Sequence, residues 1–180
     1  MGRSLEIKPL TIEDMSTVGD AFMAAFHDNP YYTKMWPDVE DRTANMRNFE
    51  VGMEYCIEQN HSLGIYEGNR LIAFFITCNW HQLRKDEAMQ EYILGQYYNP
   101  AIIKQFDEAG PRVQYCLLLA VDPEFKGQGL EQRLWESLMG QFIDYTFVGD
   151  VTDISTIRMY YKMGFRVFEV YPGYWTVIKS

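Results

Sequence analysis

Residues 121–132 read Val-Asp-Pro-Glu-Phe-Lys-Gly-Gln-Gly-Leu-Glu-Gln, and they place two glycines between a predicted strand and a predicted helix. The apolar run of residues 115–121 predicts the strand. The helix is predicted by apolar residues that recur every four positions, namely Leu130, Leu134, Leu138 and Phe142. Gly127 and Gly129 let the backbone turn sharply, and the first amides of a helix have no partner within it. Because those amides and the helix dipole favour a phosphate group, the stretch predicts a site for a phosphate-bearing cofactor.

Two common nucleotide-binding motifs are excluded by the residues around these glycines. The dinucleotide-binding fingerprint requires glycine or alanine where this chain has Gln132. The phosphate loop of nucleotide hydrolases requires Gly-Lys-Ser or Gly-Lys-Thr, which is missing here. Two glycines separated by one residue also occur in ordinary turns between a strand and a helix, so a purely structural turn is the alternative at this point.

A second segment, residues 153–165, reads Asp-Ile-Ser-Thr-Ile-Arg-Met-Tyr-Tyr-Lys-Met-Gly-Phe and predicts a short helix followed by a strand over residues 165–170. Together the two segments resemble the GNAT superfamily of acyl-CoA N-acyltransferases. The cofactor loop of that family reads Arg/Gln-x-x-Gly-x-Gly/Ala and lies over residues 126–131, the glycine loop of this chain. The last helix of the family often reads Asn-x-x-Ala-x-x-x-Tyr-x-x-x-Gly-Phe, and the matching positions here are Asp153, Thr156, Tyr160, Gly164 and Phe165.

Three of these positions depart from the residues that the family commonly has: Lys126, Glu131 and Asp153. Lys126 replaces Arg or Gln and could still reach a phosphate as a point charge. Glu131 replaces Gly or Ala and brings a carboxylate near an anionic ligand, unless its side chain points away. These departures support an alternative to an active enzyme, namely a catalytically weak or inactive module that binds or senses acyl-CoA. A third alternative is a non-catalytic interaction domain, in which the aromatic residues of the insertion at 81–111 mediate dimer contacts.

The resemblance extends along nearly the whole chain, in the element order β-α-α-β-β-β-α-β-α-β-β. The elements predicted before the glycine loop are a strand over 5–10, a helix from Thr11 with Asp14 in the capping-box position, a helix over 38–60, and a hairpin of 62–66 and 71–79. We therefore expect a single mixed α/β (α+β) domain over residues 1–180. Its central sheet should have about seven mostly antiparallel strands, flanked by helices, as in the family.

Residues 81–111 form an insertion between the third and fourth predicted strands. One helix is predicted near residues 84–91, and a second short one by Ile102, Ile103 and Phe106. The insertion also carries Tyr92, Tyr97 and Tyr98, which would suit the wall of an acceptor pocket or an interface, although an ordinary packed surface insertion explains them equally well. A pocket that used Tyr31, Tyr32, Trp36 and Trp80 would favour an aromatic or hydrophobic amine.

The composition excludes several classes of protein. The 25 acidic and 16 basic residues give a formal net charge of −9, which argues against nucleic-acid binding because that needs a basic face. The same charge would suit a cationic acceptor. The longest apolar runs have the length of strands, so no membrane span is expected. The three cysteines, Cys56, Cys78 and Cys116, have no zinc spacing, and we expect reduced thiols of a cytoplasmic protein without a metal site.

The resemblance implies transfer of an acetyl (acyl) group from acetyl-CoA to a primary amine of a small molecule or peptide, by direct attack through a tetrahedral intermediate. Backbone amides of the glycine loop would hold the pyrophosphate, through Lys126, Gly127, Gln128, Gly129, Leu130 and Glu131. The preceding strand would separate from the next one, residues 147–151. It would then bond the pantetheine arm and the thioester oxygen through Leu119, Ala120 and Val121. The resemblance would also accommodate a homodimer.

Tyr160 lies where the family places the tyrosine that protonates the departing thiolate, although an unplaced tyrosine is more often part of the core. A thiol pKa of roughly 8.5 already makes the thiolate a fair leaving group, so donation should contribute at the low end of about 10²- to 10⁴-fold. Tyr161 cannot face the same thiol, because adjacent helical residues point about 100° apart. No general base is assigned among His27, His61, His81, Tyr115, Asp122, Glu124 and Glu54.

Overall fold

The computed structural model describes residues 4–94, 100–152, 154–171 and 174–180. The strands of this part of the chain are β1 Leu5–Pro9, β2 Leu63–Glu67, β3 Arg70–Asn79, β4 Val113–Val121, β5 Thr146–Val151, β6 Arg166–Tyr171 and β7 Tyr174–Lys179. The α-helices are α1 Met15–Phe26, α2 Pro30–Met35, α3 Val39–Glu58, α4 Trp80–Leu83, α5 Glu87–Leu94, α6 Pro100–Glu108, α7 Leu130–Gln141 and α8 Ile154–Lys162. Short 3₁₀ turns cover Ile12–Asp14 and Pro123–Phe125.

The strands form a seven-stranded mixed sheet in the order β1-β2-β3-β4-β5-β7-β6. Antiparallel ladders join β1 to β2, β2 to β3, β5 to β7 and β6 to β7, whereas β4 and β5 run parallel. Parallel neighbours need a crossover connection, and α7 supplies it between β4 and β5. The predicted mixed α/β fold with about seven strands is therefore confirmed.

The chain divides into two compact units, Met1–Ile76 with Leu118–Gln141 and Thr77–Leu117 with Phe142–Ser180. Both β3 and β4 contribute residues to each unit. That residues 1–180 form a single domain stays a prediction. Among the described residues, no helix is both long enough and apolar enough to cross a membrane.

The helices of the first unit begin where their capping residues predict. The Thr11 backbone amide donates to Asp14 Oδ2 at 2.9 Å, which closes the predicted capping box before α1. At the start of α3, Asp38 Oδ1 accepts from the amides of Glu40 and Asp41 at 2.9 and 3.0 Å. The predicted helix over 38–60 is thus confirmed to within two residues at its end.

Helix α2 is an element that the sequence interpretation missed. The Asp-Asn-Pro stretch at residues 28–30 predicts a break in the chain before the next helix. Instead, the Asn29 side chain accepts from the Tyr31 amide at 2.9 Å, and Pro30 occupies the first helical turn. Asparagine as a cap followed by proline at the first position is a favoured helix start, because proline has no amide hydrogen to leave without a partner.

The insertion in the second unit contains α4, α5 and α6, one helix more than the sequence predicted. The missed helix, α4, begins at Asn79, whose side chain accepts from the Gln82 amide at 3.2 Å. The Trp80 indole donates to Asp107 Oδ1 at 2.7 Å and packs edge-on against Phe106, with ring centroids 5.3 Å apart. Tyr92, Tyr97 and Tyr98 lie outside the residues whose side chains the structure describes.

Candidate functional site

The glycine loop has a backbone conformation that requires both of its glycines. Gly127 and Gly129 have φ of +77° and +72°, in the left-handed region that other residues adopt only with strain. A Cβ built on either glycine would meet no atom within 4 Å, so the space beside the loop is open. The sequence prediction of a sharp, accessible turn before a helix is confirmed at both positions.

Helix α7 starts directly at the end of the glycine loop. The Arg133 amide donates to the Gly129 carbonyl at 3.2 Å, which makes Gly129 the residue that opens the helix. Leu130 is buried and fixes the first turn, Glu131 is half-buried, and Lys126 and Gln128 are exposed. The amides of the first turn have no acceptor within the helix and carry the positive end of its dipole, which is an arrangement suited to a phosphate.

An ionic clamp that sequence analysis missed holds the segment just before the glycine loop. The Arg70 guanidinium donates at 2.7 Å both to Asp122 Oδ2 and to Glu124 Oε2, and it lies 5.3 Å from the centre of the buried Phe125 ring. These two carboxylates raise the pKa of Arg70 above its ordinary value, Glu124 contributing more than Asp122. The Asp122 amide also donates to the Ile72 carbonyl at 2.8 Å. The clamp ties the loop to the hairpin of β2 and β3.

Strand β4 is paired with β5 only in its first half. Its ladder with β5 pairs residues from Val113–Thr146 to Cys116–Gly149 and ends there. Val113 to Cys116 are buried, whereas Leu117, Leu118 and Leu119 are half-buried, and Ala120 and Val121 are buried again. The predicted separation of β4 from β5 is confirmed, because the last paired residue of β4 is Cys116, directly before Leu117. That the amides of Leu119, Ala120 and Val121 bind a ligand stays a prediction.

Tyr160 lies on α8 with 6% of its surface exposed, and its ring packs edge-on against Phe165 with centroids 4.8 Å apart. Gly164, with φ of +88°, ends the helix, and the Phe165 amide donates to the Tyr160 carbonyl at 3.0 Å. Burial raises the pKa of Tyr160, and Cys116 and Asp150 raise it further, so the phenol keeps its proton. Tyr161 is 55% exposed, as expected for a neighbour on another side of the helix.

Three polar side chains from separate strands meet in the second unit and form what we call the Asp150 cluster: Tyr115, Asp150 and Thr176. The Tyr115 hydroxyl donates to Asp150 Oδ2 at 3.3 Å, and the Thr176 hydroxyl donates to Oδ1 at 2.9 Å. Asp150 is half-buried, and both of its partners are buried. Sequence analysis named Tyr115 but missed Asp150, although a carboxylate inside the otherwise apolar run Phe-Val-Gly-Asp-Val was a signal.

Most of the aromatic residues proposed for the acceptor side lie together in the first unit. Tyr32 stacks on Trp36 with centroids 5.8 Å apart, and Tyr31 meets Tyr32 edge-on at 5.2 Å. Trp80 belongs to the second unit, where it is fully buried against Phe106 and Tyr115 and leaves no exposed surface for a pocket wall.

The three histidines considered as general bases lie at or near the ends of helices and strands. His27 lies 2.9 Å from Asp28 and 3.2 Å from Thr43, between the end of α1 and the first turns of α3. His61 and His81 are half-buried at the ends of elements. Within the described ranges, no group of His, Cys, Asp and Glu side chains could hold a metal ion.

Known structures resemble this chain far more than known sequences do. No family model matches the sequence, and no curated protein matches it significantly. The PaiA N-acetyltransferase from Thermoplasma acidophilum, solved in complex with coenzyme A, has a TM-score of 0.68 at 16% identity and covers 98% of this chain and 99% of its own. An agmatine N-acetyltransferase mutant in its apo form gives 0.68 at 13% identity over 97% and 98% of the two chains.

A mosquito arylalkylamine N-acetyltransferase-like protein gives a TM-score of 0.65 at 14% identity, over 98% of this chain and 99% of its own. At such low sequence identities the likeness establishes the fold alone, and the substrates for which these proteins are named are not thereby substrates of this chain. The resemblance that the glycine loop and the 153–165 segment indicate is confirmed at that level. This chain has the fold of the GNAT superfamily of N-acyltransferases.

Proposed function

We propose that the protein is an N-acyltransferase that moves an acetyl group from acetyl-CoA to a primary amine of a small molecule or peptide. One observation carries the proposal: Gly127 and Gly129 both adopt left-handed conformations beside open space, at the start of α7 in an acetyltransferase fold. Glycine adopts these conformations readily, and without a Cβ at either position the backbone of the loop can approach a ligand closely.

The residues present fit the anionic end of coenzyme A. The amides of Gly127 to Glu131 would bond the pyrophosphate, and the exposed Lys126 would add a point charge. The amides of Leu119, Ala120 and Val121 would bond the pantetheine arm, as the resemblance to the family implies. Acetyl-CoA supplies the activated acetyl thioester.

Tyr160 is the group that we propose as the proton donor to the departing thiolate. Its raised pKa keeps the phenol protonated at neutral pH, which a donor requires, and also makes it a weak acid. The thiolate needs little help to leave, so even a weak acid is a sufficient donor.

A small cationic amine is the acceptor that the comparisons and the charge of the chain support best. Structures of this fold include enzymes named for agmatine, arylalkylamines and polyamines, and the net charge of −9 favours the approach of a cation. A cytoplasmic location and a homodimer are further expectations of the same proposal.

Cofactor binding is tested first by thermal unfolding with acetyl-CoA, with desulfo-CoA and ATP as comparisons. A ligand at about 100 times its dissociation constant adds roughly 2.7 kcal/mol to the free energy of unfolding. We expect both coenzyme A ligands, and not ATP, to raise the melting temperature. No shift at millimolar acetyl-CoA would contradict the proposal, and a shift without turnover of any amine would favour a sensing module.

A further inference from the structure

We propose that Lys179 is a positioning residue of the acetyl transfer, because it fixes the end of α8 and thereby the direction in which Tyr160 presents its hydroxyl. The inference rests on the proposed function, with Tyr160 as the proton donor. It adds a residue that acts by holding the donor and does not touch the reacting atoms. All the residues that carry the argument belong to the second unit, Thr77–Leu117 with Phe142–Ser180.

The way in which α8 ends is the first step of the argument. The Phe165 amide donates to the Tyr160 carbonyl, and the Gly164 amide donates to the Tyr161 carbonyl, each at 3.0 Å. With Gly164 in the left-handed region, these two bonds form a Schellman motif. The same motif brings the side chains of Tyr160 and Phe165 together, with ring centroids 4.8 Å apart. The direction of the Tyr160 ring is therefore set by the structure that ends the helix.

The Lys179 ammonium completes this helix end, which is the second step. An α-helix leaves its last four carbonyls without partners inside the helix, and the Schellman motif satisfies those of Tyr160 and Tyr161. The Met163 carbonyl accepts instead from Lys179 Nζ, at 2.7 Å. A charged donor makes a stronger hydrogen bond than a neutral one, and a cation is also attracted by the negative end of the helix dipole.

The anchor of Lys179 in the sheet is the third step. Lys179 is the last residue of β7 and lies opposite Phe147 of β5. Strand β7 is paired on both sides, with β5 and with β6. A Cβ built on Gly164 would come within 3.0 Å of Lys179 Nζ, so the lysine side chain passes directly over the glycine that ends α8. Lys179 therefore ties the helix end to a strand that is held by two neighbours.

The length of α8 makes this tie important for Tyr160. The helix has nine residues, Ile154–Lys162, and isolated helices of that length are marginal in water, so its placement depends on tertiary contacts. Tyr160 lies in its last turn, close to the bond from Lys179. A proton donor must come within about 2.6–3.2 Å of its acceptor, and a misplacement of about 1 Å can cost as much as about 10²-fold in rate. Loss of the tie should therefore lower turnover through Tyr160.

The test is a double-mutant cycle on Lys179 and Tyr160. Lys179→Met removes the ammonium and keeps an unbranched chain, and it is made both in the wild-type protein and together with Tyr160→Phe. The rate is the release of the coenzyme A thiol at saturating acetyl-CoA, with the best acceptor among agmatine, spermidine and phenethylamine. Such a cycle separates an effect that passes through the tyrosine hydroxyl from one that acts on the fold alone.

We expect Lys179→Met to lower kcat by about three- to tenfold in the wild-type background and by less than about twofold in the Tyr160→Phe background, where the positioned hydroxyl is gone. The KM for acetyl-CoA should change by less than about twofold. Lys179→Arg should recover part of the loss, because a guanidinium can also donate to the Met163 carbonyl. The matched control is Lys162→Met, at an exposed cation in the last turn of the same helix, which should leave kcat unchanged in both backgrounds.

The melting temperature of each variant shows whether it folds. Lys179→Gln keeps a donor on a shorter chain, and it goes through the same cycle with the same criteria if Lys179→Met does not fold. Equal losses of kcat in the two backgrounds, or no loss in either, would overturn the role of Lys179 and leave the acetyltransferase function standing. A wild-type kcat in Tyr160→Phe would overturn the proton donor and this inference together. Turnover of none of the three amines by the wild-type protein would overturn the proposed function itself.

Discussion

The glycine loop and the Asp150 cluster are assembled in different ways, one from consecutive residues and the other from three separate strands. The loop uses consecutive backbone amides. The residue type matters at positions 127 and 129, because Gly127 and Gly129 must adopt left-handed conformations. The cluster uses side-chain oxygens that three separate strands bring together, through bonds of 2.9 and 3.3 Å. A substitution in the loop should therefore act through strain and binding, whereas one in the cluster should first disturb the packing of the three strands, and one at Tyr160 should act through a lost proton transfer.

The largest effect is expected at Tyr160. Tyr160→Phe removes the hydroxyl and keeps the ring that packs on Phe165, so the fold should persist. We expect kcat to fall by about 10²-fold, with the affinity for acetyl-CoA changed by less than about twofold. Steady-state kinetics and a binding titration measure the two quantities. Tyr161→Phe, at the exposed neighbouring residue, is the control and should alter neither.

A smaller effect, on binding rather than on turnover, is expected at Gly129. An L-residue at φ of +72° costs roughly 1–2 kcal/mol, so Gly129→Ala should weaken acetyl-CoA binding by about tenfold if the loop relaxes to avoid the strain. The matched control is Gly140→Ala within α7, where a Cβ also meets nothing within 4 Å. That change should stabilise the protein by about 0.5–1 kcal/mol and leave binding unchanged. Similar binding losses in the two variants would contradict a specific role for the loop.

A change of a few-fold is expected at Arg70, which positions the loop without belonging to it. Arg70→Gln removes the clamp on Asp122 and Glu124, and exposed ion pairs contribute little, so the KM for acetyl-CoA should rise by about two- to fivefold at unchanged kcat. Arg70→Lys should restore part of the loss, because one ammonium keeps the charge but not the fork of donors. A fall in kcat would show that the clamp acts beyond the loop.

The smallest effect is expected at Glu131, where folding and binding oppose each other. A carboxylate in the first turn of α7 stabilises the helix, so Glu131→Gln should lower the free energy of unfolding by about 0.3–1 kcal/mol. The same change removes a negative charge from beside the proposed pyrophosphate site and should tighten acetyl-CoA binding by a few-fold. Unfolding and calorimetric titration of one preparation give both quantities. Weaker binding of the variant would mean that Glu131 assists the ligand.

The sequence predicted the elements whose signals are local. Asp14 and Asp38 cap helices as their spacing indicates, and both glycines of the loop adopt the conformations that the turn requires. The missed helix α2 also had a local signal, since Asn29 followed by Pro30 is a favoured helix start. The motif position of Tyr160 came from the family and not from any property of an isolated tyrosine.

The contacts that the sequence did not reveal join residues far apart in the chain. Arg70 meets Asp122 across 52 positions, and Tyr115 meets Asp150 across 35 positions. Such pairs depend on strand register, and a shift of one residue would turn every side chain to the other face of the sheet. The burial of Trp80 could not be predicted for the same reason. It depends on how the insertion packs Trp80 against Phe106, which the residue type alone does not reveal.

Amine-dependent release of the coenzyme A thiol from acetyl-CoA, followed for wild type and Gly129→Ala side by side, tests the central claim most directly. The account predicts release that requires both acetyl-CoA and a primary amine, and that is about tenfold slower in the variant at low acetyl-CoA but recovers as acetyl-CoA approaches saturation. No amine-dependent release by the wild-type protein, or equal rates in both proteins at low acetyl-CoA, would contradict it.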